Sequence, residues 1–334
     1  MPDEHTLPLP VRLLLDAEDA VLATAEAIPA SGREGHLGPL SAPGGVMAHL
    51  AASQDTWFGW LLGGQPPLAP WIAPDDTPYA EGIHAFREAC ARTRPHLDTL
   101  DTAALGRPLQ RLEGTPWAGS GVSNGYLVRS GIAHLYAHAG DLTVTGSLVG
   151  MPDQSLPGPL ARCQQIDRAD LSATSLVPLL LDGLDEVRRV ADALPVPARV
   201  GAFARLNAGS FTVAHVANRE DLLWNVGTRG RPRDAWLETA DVGPGAPRSV
   251  PAWDDARESL DRIIEAVTPH LESLTTSDLA SAVEYRGAHH TTGAQLARSA
   301  AHVFYHAGEL QALGALAGMP SLSLPGPLAR SARG

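Results

Sequence analysis

The chain says the same thing twice, and this constrains its fold more than any other feature. Residues 133–162 read AHLYAHAGDLTVTGSLVGMPDQSLPGPLAR, and residues 301–330 read AHVFYHAGELQALGALAGMPSLSLPGPLAR. Aligned without a gap at an offset of 168, 19 of these 30 positions are identical. Leu13-Leu14-Leu15-Asp16 recurs as Leu179-Leu180-Leu181-Asp182 at an offset of 166, which also carries His49 onto His215 and Asp55 onto Asp221. Pro95-His96-Leu97 recurs as Pro269-His270-Leu271 at an offset of 174. The offset changes in the connections, where insertions are tolerated. A period of about 167 residues is too long for a solenoid and suits a duplicated domain. The expected units are 1–165 and 166–334, divided after the first LPGPLAR.

Each half predicts four helices. In the first, Leu13, Leu14, Val21 and Leu22 place apolar residues at helical spacing over 9–28. Ser41-Ala42-Pro43 opens a second helix over 44–62, and Thr77-Pro78 opens a third that runs to about residue 100. Asn124 is the cap candidate for a fourth, ended by Gly150 and Pro152 after Val149. The second half predicts helices at 170–193, 209–227, 252–273 and 293–317, with Thr292 as a cap and Gly318 and Pro320 as the stop. No alternating run is long enough to predict a strand. The expected fold class is all-α, two tandem four-helix bundles. Trp71, Trp117 and Trp236 fall in the longer connections, where they could line a pocket mouth.

Charge and composition exclude several functions. Net charge is −12, and all 25 basic residues are arginine. Without lysine there is no Schiff-base chemistry, no lysine base and no Walker-type phosphate loop. The acidic balance opposes a broad nucleic-acid surface, which needs clustered positive charge. No apolar run reaches the roughly 18 residues of a membrane span. The first ten residues, MPDEHTLPLP, lack the pattern of a signal peptide. A cytoplasmic setting is therefore expected. Cys90 and Cys163 do not form a disulfide framework and read as packing residues.

The histidines carry the chemistry. His134 and His138, and again His302 and His306, stand four apart, on one helix face and one turn up. Leu127, Gly131, His134, His138 and Thr145 form one stripe of the fourth helix; Val46, His49, Ser53, Thr56 and Trp60 form one of the second. With both stripes turned inward, His49 meets His134 and His138, and His215 meets His302 and His306. Three neutral nitrogen ligands suit Zn²⁺, Ni²⁺ or Fe²⁺ and leave a position for water or substrate.

Other residues read less specifically. Asp141 and Glu309 follow the second histidine of each pair by three and could orient its ring, act as acid or base, or remain solvated. Gly140 and Gly308 are mid-helix, which points to close helix packing or to space beside the metal. His96 and His270 suit the dipole at the end of the third helix. His289 and His290, unmatched in the first half, read as loop residues; Asp55, Glu220 and Asp221 read as surface charges. Neighbours of the triads differ, with Thr143 and Thr145 predicting a more polar first pocket and Leu313 a tighter, more apolar second one.

A histidine on the second helix, then H-x-x-x-H-x-G-[DE]-L on the fourth, a glycine stop and L-P-G-P-L, resembles the DinB/YfiT-like family of metal-dependent enzymes. The resemblance covers both halves. It implies four-helix bundles with a three-histidine metal site and a small-molecule substrate. It carries over onto His49, His134 and His138, and onto His215, His302 and His306. Some members are thiol S-transferases or isomerases that use a low-molecular-weight thiol such as bacillithiol or mycothiol. A hydrolase acting on a small electrophile is the companion expectation, with Asp141 and Glu309 as catalytic candidates. A non-catalytic metal- or ligand-binding stress-response protein is the alternative. Members often form dimers, so a tandem chain is expected to pair its halves about a pseudo-twofold axis and to act as a monomer.

Overall fold

Helices form where the apolar spacing calls for them. The computed structural model describes residues 6–68, 75–111, 121–152, 160–164, 170, 172–201, 203, 206–243, 246, 249–285 and 287–333. In the first half, α1 spans Leu9–Ala27, α2 Pro43–Gln54, α3 Tyr79–Leu97 and α4 Asn124–Leu148. In the second, α5 spans Leu176–Ala193, α6 Gly209–Glu220, α7 Trp253–Glu272 and α8 Thr292–Leu316. Pro43 occupies the first turn of α2, where no N–H is missed. Gly150 and Gly318 take left-handed φ values of 91° and 84° just past α4 and α8, as the stop signals require.

The caps lie one residue earlier than the sequence suggests. Ser123 accepts the Tyr126 N–H at 3.1 Å and Thr291 accepts the Ala294 N–H at 3.2 Å, so Asn124 and Thr292 are the first helical residues instead. Asn124 turns its amide to the Ala104 carbonyl. At α3 the helix begins after Pro78.

In each half the first helix packs on the fourth and the second on the third: α1 on α4, α2 on α3, α5 on α8, α6 on α7. The buried apolar side chains make one continuous core through both halves. The halves meet along α4 and α8. A Cβ on Gly140 would lie 2.0 Å from the Tyr305 carbonyl oxygen, and one on Gly308 would lie 1.8 Å from that of Ala137. Those contacts are reciprocal under the 168-residue offset, the signature of a pseudo-twofold axis. Gly140 and Gly308 therefore serve close helix packing.

The repeated Leu-Leu-Leu-Asp motif receives the tails. Asp16 accepts the Arg162 N–H at 3.2 Å, and Asp182 accepts the Arg330 N–H at 2.9 Å. The arginine that ends each LPGPLAR run is thus tied to the first helix of its own half. Arg12 joins the halves through Asp170 at 3.2 Å.

Two features depart from the sequence reading. A small hairpin, β1 Ala282–Tyr285 with β2 Ala288–Thr291, precedes α8, and it takes His289 and His290 out of a loop and into a strand. Four-residue strands are too short for alternation to announce them. After Gln54 and Glu220 the second helix of each half also widens into π-helical turns, Asp55–Leu62 and Asp221–Gly227. No helix among the described residues is long and apolar enough to cross a membrane.

Candidate metal centres

The two predicted triads assemble. His49 on α2 places Nε2 3.0 Å from Nε2 of His134 on α4, and the His138 ring lies 4.8 Å from that of His134 and 5.3 Å from that of His49. In the second half, Nε2 of His302 is 3.2 Å from Nε2 of His215 and 3.1 Å from Nε2 of His306. Within each triad the ligand atoms all lie within 4.8 Å of one another. Nitrogens about 2.0–2.1 Å from one tetrahedral ion stand roughly 3.3 Å apart, so each triad could hold a metal ion.

The electrostatics agree. Burial, followed by the neighbouring imidazoles, pushes His49 down to about 4 and pushes His134 and His302 well below the usual histidine range. Those three rings therefore stay neutral with lone pairs available, as metal ligands must. Backbone and carboxylate partners orient the second triad. The Val242 carbonyl can only accept, so Nδ1 of His215 donates to it at 2.8 Å and Nε2 carries the lone pair. Glu309 lies 2.5 Å from Nδ1 of His306 and does the same for that ring. Asp141, one methylene shorter, stands 3.8 Å from Nδ1 of His138.

Each triad also has an aromatic neighbour, from a different position. Trp57 lies 5.2 Å from His134, ring to ring. Phe211 stacks on His215 at 6.1 Å with planes 7° apart. The expected inner stripe of α2 ran on to Thr56 and Trp60. In the structure Trp57, four residues after Ser53 and so on the same face, joins His49 and Ser53 around the site.

An open cavity of about 730 Å³ holds all three histidines of the first triad in its wall, with Asp141, Tyr126 and Ser130 beside them. Its other wall comes from the second half: Gln311, Ala312 and Ala315 of α8 and the segment Ser321–Leu328. Here the expected pocket neighbours need correcting. Beyond the Gly140–Gly308 crossing, α8 faces the first triad, so Gln311 borders that cavity, while Thr143 and Thr145 are buried elsewhere.

Asp55, Glu220 and Asp221, expected at the surface, are 3%, 0% and 1% exposed. Asp55 accepts the Leu68 N–H at 2.6 Å and pairs with Arg92; Asp221 accepts the Asp234 N–H at 3.0 Å. They tie the connection after the second helix to that helix, beneath the triads. Glu220 accepts from Arg219 at 2.8 Å and from the Trp224 indole at 2.7 Å. The recurrence of Asp55 as Asp221 at the 166-residue offset is the signal available in the sequence. His96 and His270 also pack onto the end of the second helix: a Cβ on Gly63 would strike the His96 ring, and Thr228 meets His270 at 3.1 Å. Cys90 and Cys163 are free, and burial pushes both thiols up, away from nucleophile chemistry. Trp236 packs against the core, and Trp71 and Trp117 lie outside the described residues.

No match is found among curated proteins or solved structures. The sequence profile of the DinB superfamily matches residues 13–142 and again 210–310, so each match contains one complete histidine triad. On that double match, over helical bundles that each bring three imidazoles together, the chain belongs to the DinB superfamily.

Proposed function

We propose that the chain is a metal-dependent enzyme that transfers a low-molecular-weight thiol to a small electrophile or hydrolyses such a substrate. The observation that carries this reading is the open cavity of about 730 Å³ with the first triad in its wall. Space of that size beside a ligand set suits a small organic substrate and has no purpose in a site that only stores an ion. His49, His134 and His138 would hold a divalent ion, which would supply Lewis acidity and lower the pKa of a water or thiol.

The chain's own groups do the rest. Trp57 and Tyr126 offer aromatic surface against which the organic part of a substrate packs. Ser53 and Ser130 offer hydroxyls that orient it. Asp141 lines the same cavity and is placed to take or return a proton there; Glu309 is its counterpart in the second half. We place the boundary between the two units after residue 165. The chain acts in the cytoplasm as a monomer, because the twofold pairing of α4 with α8 already lies within it.

The test is metal analysis of protein purified without a nickel column, followed by assay of thiol–electrophile pairs and ester or amide substrates. Metal-dependent turnover that disappears in His134→Ala protein supports the reading. Stoichiometric metal with no turnover of any class leaves the stress-response binding protein.

A further inference from the structure

Two features of the second half that the first half lacks both bear on the cavity of the first triad. One is Gln311 on α8, a turn past the Gly140–Gly308 crossing. It lies in the cavity wall, is 9% exposed, and its Oε1 has no hydrogen-bond partner among the described residues. At the 168-residue offset the first half has Thr143, which carries a hydroxyl in place of the amide.

The other feature is a clamp on the segment Ser321–Leu328, which belongs to the same wall. On α5, Glu186 accepts two N–H groups of Arg189, each at 2.7 Å. Glu186 also accepts the Gly326 N–H at 2.9 Å, and Arg189 donates to the Ser323 carbonyl at 3.0 Å. A Cβ on Gly326 would strike this ion pair, so the segment rests directly on it. At the 166-residue offset α1 has Ala20 and Ala23, which cannot form such a pair. The wall is thus held in place before any ligand arrives, which lowers the ordering cost of binding.

A buried amide without a partner is costly, and a ligand that pairs with it relieves that cost. Glutamine offers an acceptor and a donor side by side, and a flip decides which end is which. A ligand amide presents the matching donor and acceptor, so one group satisfies both ends. A carboxylate would leave the acceptor unpaired, and it would share the cavity with the Asp141 carboxylate.

We propose that Gln311 is a specificity-determining residue for the first triad, supplied by the other half of the chain, and that it selects small molecules carrying an amide group. This rests on the reading of the cavity as a substrate site, and it does not require the ion.

The experiment uses full-length His302→Ala protein, in which the first triad is the one left complete, both zinc-loaded and stripped of metal with a chelator. N-acetylcysteamine, a thiol with an amide, and propanethiol, a thiol without one, are titrated separately by calorimetry. N-acetylcysteamine should bind saturably in at least one form, and more tightly than propanethiol. Gln311→Leu should weaken N-acetylcysteamine about three- to tenfold, the worth of one or two neutral hydrogen bonds, and leave propanethiol unchanged. Gln311→Met keeps the side-chain length, should act in the same way, and serves if the leucine variant misfolds by circular dichroism. Equal loss for both thiols would mean that Gln311 only shapes the cavity, and overturns the proposal. So does unchanged N-acetylcysteamine binding in a folded Gln311 variant, no preference between the thiols, or no saturable binding in either form. Zinc uptake is scored separately. Amide-dependent binding by protein that takes up no zinc supports the role of Gln311 and refutes the metal reading, whereas zinc uptake without amide preference does the reverse.

Discussion

The carbonyl oxygen of Ala137 lies 1.8 Å from where a Cβ on Gly308 would stand. The mirror contact, Tyr305 oxygen against Gly140, leaves 2.0 Å. Backbone cannot move aside as a side chain can, so α4 and α8 cross this closely only because both positions lack a Cβ. Gly140→Ala and Gly308→Ala should each cost about 1–3 kcal/mol or more through overpacking, despite alanine's better helix propensity. Urea unfolding measures this, and an unchanged midpoint in both variants would refute the close crossing.

Metal content should respond half by half. Wild-type protein is expected to hold about two divalent ions per chain, and His134→Ala or His302→Ala about one. The double variant should hold none. Elemental analysis after dialysis gives the counts, and an unchanged content in the double variant would show that the ions sit elsewhere.

Glu309 and Asp141 occupy matching positions at different distances from their histidines, 2.5 and 3.8 Å. A carboxylate that holds a ligand imidazole typically affects metal affinity about 10–100-fold. Glu309→Gln should lower the affinity of the second site within that range, and Asp141→Asn should change the first site less. Competition with a chromophoric chelator ranks the two, and the reverse order would contradict the geometry.

Glu18 should give the chain a pH-dependent weakness. Its carboxyl is buried and accepts the Gln54 amide at 2.7 Å, and burial raises its pKa to about 8. The folded state thus holds this proton more tightly than the unfolded chain, whose glutamates titrate near roughly 4.3. The neutral acid favours folding fully at low pH, and that contribution is lost as pH rises toward 8. At the matching position the second half has Leu184, which is also buried. Glu18→Gln should remove the effect, gaining on the order of 2–4 kcal/mol relative to wild type between pH 5 and pH 8. Urea unfolding of both proteins at the two pH values checks it. Parallel pH dependence would mean that Glu18 is ionised in the fold.

What could be read in the chain beforehand was what local spacing and repetition determine. Helix spans came within a few residues, because 3.6-residue periodicity and glycine stops act within one element. The triads were legible because His134 and His138 need only one helix turn, and the duplication supplied His49 with its counterpart His215. Partners distant in the chain decided the rest. Asp55 looked like a surface charge until Arg92 and the Leu68 N–H were brought to it. Trp57 lies beside His134 because α2 and α4, far apart in the chain, are packed together, which no propensity records. Gln311 faces the first triad's cavity because two glycines let α8 cross α4 at backbone contact, and past such a crossing a helix presents its side chains to the other half. Spacing states which residues share a face; only the packed structure states what that face meets.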